Sequence, residues 1–213
     1  MRQSGHRLPL TIDPNDLQRQ VRARKPQRLI LFVVDTSDSM GDGPEGRMAA
    51  ALGAATSLAK EAYLKRDQVG LITFRERTAQ LLVPPTDSVV LVRRRLQRLP
   101  IGGATPLAAG LLKAWEVVGQ AQCRNPELAP LLVLISDGDA TAPLNAGGNP
   151  AEDCLIIADR LRRMELKIVL IDTQTSGKGG IMPKLAALFD TNCHHLHHMR
   201  PKQILRLIEQ TEH

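Results

Sequence analysis

The feature that most restricts the fold of this 213-residue chain is a series of short apolar runs separated by helix-length segments. The run at 29–34 contains no polar residue, which is typical of a parallel strand covered on both faces. Similar runs occur at 69–74, 131–135 and 167–171. Because strands and helices alternate, the pattern predicts a three-layer α/β/α sandwich with a mostly parallel, Rossmann-like sheet.

One strand should run against the others. A polar turn at 75–77 joins the second apolar run to residues 79–83, and two strands joined in this way form an antiparallel hairpin. A last strand near 193–198 completes a six-stranded sheet with one antiparallel edge. Helices are predicted at about 47–65, 88–98, 106–121, 152–164, 181–189 and 202–211.

Residues 1–27 are polar and basic and contain three prolines, so we expect an arm or linker there and one domain over 28–213. No apolar run approaches the roughly 20 residues of a membrane helix, and the first residues lack the apolar stretch of a signal peptide. We therefore expect a cytoplasmic protein with no membrane role. The three cysteines are far apart, which excludes a disulfide framework.

The net charge is +6, from 28 basic and 22 acidic residues, and aromatic residues make up only 2% of the chain. That scarcity argues against a single-stranded nucleic-acid platform, which stacks bases on aromatic side chains. The basic runs at 19–28 and 93–95 are interpreted as solvated surface or as docking sites for an acidic partner, and no nucleic-acid partner is expected.

Two of the predicted central strands end in a carboxylate. Asp35 is followed by Ser37 and Ser39, and Asp137 follows the strand at 131–135. In open α/β sheets, ligands bind outside the carboxyl ends of the strands. If the two strands are neighbours, these side chains share one edge of the sheet.

A third loop supplies another hydroxyl. Gly102 and Gly103 allow tight turns, and Pro106 suits the first turn of a helix. This places Thr105 at the N-cap, near the same edge.

Two carboxylates and three hydroxyls, without His or Cys, form a set of oxygen ligands suited to Mg²⁺; Mn²⁺ or Ca²⁺ could use the same ligands. So few protein charges would leave the ion electrophilic and able to bind a partner's carboxylate. Each residue alone could instead cap a helix or shape a turn.

At these residues the chain resembles the von Willebrand factor A fold with its metal-ion-dependent adhesion site. The family pattern D-x-S-x-S corresponds to Asp35, Ser37 and Ser39, its threonine to Thr105 and its later aspartate to Asp137. The resemblance implies that these five residues bind Mg²⁺.

A longer resemblance, over roughly 24–211, is to the C-terminal domain of the magnesium chelatase D subunit. It rests on 32–35, 46–50, 66–69, 71–75, 83–86 and the run 93–100 before the two glycines. It implies an accessory subunit of an ATP-dependent chelatase, with a AAA+ motor subunit and a large tetrapyrrole-binding subunit as partners. The Mg²⁺ would contact an acidic residue of a partner.

Subunits of that family carry an N-terminal AAA+-like module and an acidic, proline-rich linker, and we expect neither in this chain. Residues 176–180 also lack the spacing of a phosphate-binding loop. We therefore expect no catalytic residues and no ATP hydrolysis by this chain alone, and a separately encoded AAA+ partner. The inserted metal, magnesium or cobalt for cobalamin, is left open, as is an adaptor role for another AAA+ ATPase.

The last predicted strand departs from the family in carrying a cysteine and four histidines. On a strand, Cys193, His195 and His197 share one face. Thiolate and imidazole suit Co²⁺, Ni²⁺ or Zn²⁺. A second metal site, and with it a metal-delivery role, is one interpretation; a polar edge strand without metal is the other.

Overall fold

A computed structural model describes residues 27–40, 67–97, 99–174 and 180–195, together with a few helical positions between 53 and 65. The strands form one six-stranded sheet in the order β3-β2-β1-β4-β5-β6. They are β1 (Arg28–Asp35), β2 (Gln68–Arg75), β3 (Thr78–Thr86), β4 (Ala129–Ser136), β5 (Lys167–Asp172) and β6 (Cys193–His195). All neighbouring strands are parallel except β2 and β3. The predicted architecture, with one antiparallel edge strand, is confirmed.

The well-described helices are α1 (Val89–Leu96), α2 (Leu107–Arg124), α3 (Pro150–Arg162) and α4 (Met182–Phe189). Each overlaps a predicted helix, with ends that differ by at most three residues, as expected for helix termini. None of the described helices is long and apolar enough to span a bilayer. The predicted arm at 1–27 (apart from Gln27), most of the helix at 47–65, and the predictions over 196–211 lie outside the described residues.

Strand β1 is apolar from Leu29 to Val34, and both of its faces are covered. Leu29, Leu31 and Val33 pack into a cluster with α2, α3 and α4, whereas Ile30, Phe32 and Val34 pack on the opposite face with residues of α1. Complete burial of such side chains contributes about 1.5–3 kcal/mol each. The sheet is therefore the central layer of the molecule, and its strand positions are fixed from both sides.

Helix α2 approaches the sheet closely at Gly110. A Cβ atom at this position would lie 2.6 Å from the Phe74 ring, so only glycine allows this packing. This contact lies near the end of β2, where Phe74 is paired with Asp35. The first turns of α2 are thus held against the edge of the sheet at which β1 ends.

Candidate metal centre

The candidate centre lies at the carboxyl ends of β1 and β4, which are adjacent parallel strands. Asp35 is the last residue of β1, and the chain then turns into a short 3₁₀ helix at Asp38–Met40. Asp137 directly follows Ser136, the last residue of β4. The two predicted carboxylates therefore share one edge, because the condition that their strands be neighbours is met.

Asp35 is fully buried, and both of its carboxylate oxygens accept hydrogen bonds. The backbone N–H of Ser37 donates to Oδ1 over 2.9 Å, and the Ser136 hydroxyl donates to Oδ2 over 2.8 Å. Sequence analysis did not identify Ser136 as a site residue. It could have been found, because the strand alignment places it beside Asp35 and on the same face of the sheet.

No basic side chain of the described residues forms an ion pair with Asp35. Burial raises the pKa of its carboxyl group to about 6, an effect opposed by hydrogen bonds from Ser37 and Ser136 and reinforced by the negative charge of Asp137. A buried carboxylate without a cation is costly unless it is protonated or paired. The environment of Asp35 therefore favours binding of a cation.

The two predicted serines lie beside this carboxylate. Their hydroxyl oxygens are 3.1 Å apart, and Ser37 is almost completely buried. The Ser37 carbonyl accepts a hydrogen bond from the Met40 N–H, and the buried Met40 side chain anchors the 3₁₀ turn. The D-x-S-x-S segment thus folds back on itself, with Asp35, Ser37 and Ser39 together.

The glycine loop is hydrogen-bonded to this segment through two backbone contacts. Gly102 N–H donates to the Thr36 carbonyl over 2.9 Å, and Asp38 N–H donates to the Gly103 carbonyl over 3.1 Å. Gly103 has a φ of +89°, and a Cβ atom there would lie 2.6 Å from Cγ of Glu76. Both conditions favour glycine, as the sequence analysis expected.

Thr105 is buried at the base of the same loop, but the prediction that it caps α2 was wrong. Pro106 occupies the N-cap position, and Thr105 precedes it. The Thr105 N–H donates to the Thr141 hydroxyl over 2.9 Å, and its carbonyl accepts from the Thr141 N–H. These contacts to the segment after β4 fix its backbone, so Thr105 stays at the metal edge without capping the helix. Thr141 is a second positioning residue that sequence analysis did not identify.

Asp137 is also buried, and its Oδ1 atom accepts from the Asp139 N–H over 3.1 Å. Like Asp35, it therefore shapes the turn that follows its own strand. Its negative charge adds to the rise in the pKa of Asp35 that burial causes. Turn formation and metal binding are compatible here, since a carboxylate has about four lone-pair sites.

Together these residues offer carboxylate and hydroxyl oxygens in a largely buried, acid-rich edge. This is the donor chemistry of hard divalent cations and fits Mg²⁺. Occupancy by Mg²⁺, and the role of each of the five residues in it, remain predictions that the binding experiments below address.

The predicted second site on β6 is only partly within the described residues. Cys193 and His195 share one face as expected, and His195 Nδ1 lies 3.4 Å from Oδ2 of Asp172. Burial, followed by the charge of Asp172, raises the pKa of the Cys193 thiol to about 11, which disfavours the thiolate. The described residues contain no group of three or more His, Cys, Asp or Glu side chains that could hold a metal, and His197 lies outside them.

Comparisons with known proteins agree with this architecture. The von Willebrand factor type A domain family model matches residues 30–139. The von Willebrand factor domain of the type V pili tip protein Mfa5 from Porphyromonas gingivalis superposes with a TM-score of 0.73 at 11% identity, covering 89% of this chain and 96% of that one. At such low identity, this structural likeness shows the fold alone.

Closer relatives are found by sequence. The chain is 39% identical over 182 residues to the magnesium-chelatase 60 kDa subunit of Cereibacter sphaeroides, which covers 84% of this chain and 31% of that protein. It is 31% identical over 172 residues to an uncharacterized protein, MJ0910, of Methanocaldococcus jannaschii, covering 80% of this chain and 98% of that one.

The chain spans about a third of the length of the magnesium-chelatase subunits that it matches. The family model nevertheless covers more than half of the chain, including both carboxylate-bearing strands. The chain therefore belongs to the von Willebrand factor type A domain family and is homologous to magnesium-chelatase subunits.

Proposed function

We propose that this chain is a cytoplasmic, non-ATPase subunit of a magnesium- or cobalt-chelatase-type complex, in which it acts as a magnesium-dependent protein-interaction domain. Its partners would be a AAA+ motor subunit, a large tetrapyrrole-binding subunit, or both. The homology to magnesium-chelatase subunits supports a chelatase-associated role. The chain itself would bind and position these partners rather than catalyse metal insertion.

The observation that carries the proposal is the buried carboxylate of Asp35, which forms no ion pair with a basic side chain of the described residues, at an edge where a second carboxylate also lies. A structural role alone would be served better by a neutral side chain or by an ion pair, because an uncompensated buried charge lowers stability. Two carboxylates at the same edge of the sheet are the arrangement expected for a cation site.

Asp35, Ser37, Ser39, Thr105 and Asp137 would hold the ion. A bound Mg²⁺ supplies Lewis acidity toward oxygen ligands, and with only two carboxylates from this chain it retains affinity for a third. An acidic residue of a partner is the matching ligand. The cation that occupies this site would be distinct from the ion inserted into the tetrapyrrole, which would be a substrate of the whole complex.

Affinity capture from the native host tests the proposal. Wild-type bait is compared with Asp35→Ala, each with Mg²⁺ and with EDTA, and the captured proteins are identified by mass spectrometry. Asp159→Ala is the matched control because it removes an exposed carboxylate on α3. Circular dichroism establishes that each bait is folded.

We expect a AAA+ or large chelatase subunit to be retained by the wild type and the control in Mg²⁺, and to be lost with EDTA and with Asp35→Ala. Metal-dependent capture of an unrelated ATPase would contradict the chelatase assignment and leave the adaptor function. Equal capture by Asp35→Ala and wild type would contradict the metal-dependent mechanism itself.

A further inference from the structure

Helix α1 carries three consecutive arginines that form no ion pair with the carboxylates of the described residues. Its last turns contain Arg93, Arg94 and Arg95, and all three are exposed. Among the described residues, no carboxylate lies within ion-pair distance of any of these guanidinium groups. Consecutive residues of a helix do not face each other, so the three guanidinium groups spread over the exposed side of α1, and their summed positive potential attracts an anionic partner.

The sequence around α1 is also basic. Residues 88–115 contain five basic residues and no acidic residue. Helix α3 is the instructive contrast, since Asp159 accepts hydrogen bonds from both Arg162 and Arg163 over 2.6–3.2 Å. Asp159 on α3 pairs with two arginines, whereas none of the described carboxylates pairs with the three arginines of α1.

Among the described side chains of α1, Val92 and Leu96 are the ones buried in the core. The helix dipole favours basic residues in the last turn, which explains part of their placement. It does not explain the first turn, where Val90 is 78% exposed and Leu91 is 37% exposed. Apolar side chains next to exposed arginines are typical of protein interfaces.

The chain direction links this surface to the metal edge. Strand β3 runs away from that edge, α1 follows it, and the chain then returns to Gly102, which is hydrogen-bonded to Thr36. The arginine end of α1 is therefore its end nearer the metal edge. Ile101, next to Gly102, is 47% exposed and lies between the two surfaces in the chain.

We infer that Val90, Leu91, Arg93, Arg94 and Arg95, here termed the α1 ridge, bind an acidic segment of a partner protein that also carries apolar side chains. The partner's carboxylates pair with the three guanidinium groups, and its apolar side chains cover Val90 and Leu91. This inference rests on the proposed function, which sets the direction in which the partner lies. The partner that places a carboxylate on the metal also extends along α1. The exposed aliphatic side chains favour a protein over a nucleic acid, whose phosphates would leave them uncovered.

The test measures binding of fluorescently labelled acidic polymers to the full chain by anisotropy, at about 0.1 M salt so that only short-range charge pairs persist. The probes are polyglutamate and a glutamate–tyrosine copolymer, and a short DNA duplex is the competitor. The ridge variant carries R93Q, R94Q and R95Q. The matched control carries R160Q, R162Q and R163Q on and next to α3, and thus loses the same number of positive charges.

We expect the ridge variant to bind both polymers about tenfold more weakly, as three exposed charge pairs imply, and the control to bind like wild type. A second variant, V90S with L91S, should weaken binding of the copolymer but not of polyglutamate. Equal weakening in the ridge and control variants would overturn the inference, because the net charge would then explain binding. Displacement of the copolymer by an equal concentration of DNA charges would assign the ridge to nucleic acid instead.

The two proposals fail separately. EDTA and Asp35→Asn remove the contribution of the metal, whereas the ridge variant removes that of α1. Polymer binding that ignores Mg²⁺ but depends on the ridge contradicts the metal-dependent mechanism alone. Binding that depends on Mg²⁺ and ignores the ridge contradicts the inference about α1 alone.

Discussion

Asp35 and Asp67 lie at opposite ends of the β1–β2 strand pair, and each is almost completely buried. Asp67 is paired with the Arg28 side chain, whose Nε atom donates to Oδ2 over 2.9 Å, and it also accepts from the Arg28 N–H. Asp35 has two hydrogen bonds from neutral groups and no basic partner among the described residues. The same side chain is thus compensated at one end of the sheet and uncompensated at the other.

This difference separates a structural carboxylate from a candidate binding carboxylate. Arg28 begins β1 and Asp67 directly precedes β2, so their pair fixes where the two strands start. At the other end, a permanent internal cation would occupy the position that a metal needs. We expect, therefore, that Asp67 contributes to stability in all conditions and that Asp35 does so only when a cation is bound.

The largest effect is expected from Asp67→Ala, which removes the carboxylate that pairs with the Arg28 side chain, itself only 13% exposed. Removal of one partner of a buried pair costs about 3–5 kcal/mol of unfolding free energy. Denaturant unfolding, followed by circular dichroism with and without Mg²⁺, measures it. The loss should be the same in both conditions, because this pair lies at the end of the sheet remote from the candidate site.

A double variant tests whether the charge imbalance is the cause. Arg28→Met with Asp67→Leu removes both charges and should recover most of the stability lost in Asp67→Ala. If the double variant is as unstable as the single one, packing rather than electrostatics explains the role of Asp67, and the comparison with Asp35 loses its basis.

The next largest effect is expected from Asp35→Asn. In EDTA this substitution should increase the free energy of unfolding, whereas Asp67→Ala lowers it. Asparagine removes the buried charge, and its carbonyl can still accept from Ser37 N–H, so the metal-free protein should gain about 1–3 kcal/mol. Wild type should instead be stabilised by Mg²⁺, by about 2.7 kcal/mol at a hundredfold excess over Kd. Thermal unfolding of both proteins, with Mg²⁺ and with EDTA, makes the measurement.

The diagnostic result is a reversal of order: Asp35→Asn is more stable than wild type in EDTA, and wild type gains stability from Mg²⁺ while the variant does not. If Asp35→Asn were destabilised in EDTA, the carboxylate would be a structural group like Asp67. A Mg²⁺-dependent rise in Tm that persists in Asp35→Asn would place the ion elsewhere. Asp67→Asn should keep the Mg²⁺ response of wild type and serves as the control.

The comparison also shows what the sequence could and could not predict. The mostly parallel sheet followed from the apolar runs, but the sequence left open whether β1 and β4 are neighbours. The structure shows that they are, so Asp35 and Asp137 share one edge of the sheet. The uncompensated state of Asp35 could not be predicted, because it depends on which side chains fold around it. The position of Thr105 was also misjudged, since its backbone bonds to Thr141, 36 residues away in the sequence, override the local capping pattern.

The smallest effect is expected from Ser136→Ala. This variant removes one hydrogen bond to Asp35 and leaves its carboxylate charge in place. The Ser136 hydroxyl donates to Asp35 and accepts from Gly138 N–H over 3.1 Å, so it links the two carboxylate-bearing segments. Its loss should cost about 1 kcal/mol of stability and raise the pKa of Asp35 further, since one hydrogen bond to the charged form disappears.

Metal affinity should fall more than stability does in this variant, because groups that orient a ligand typically change affinity by about tenfold or more. Isothermal titration of Mg²⁺ into wild type and Ser136→Ala measures the difference, and Ser136→Thr, which keeps a hydroxyl, should restore part of it. Unchanged affinity in Ser136→Ala would mean that Asp35 is oriented by the Ser37 N–H alone. The contrast between the two buried aspartates would then depend on charge compensation only, with no contribution from a preorganised ligand geometry.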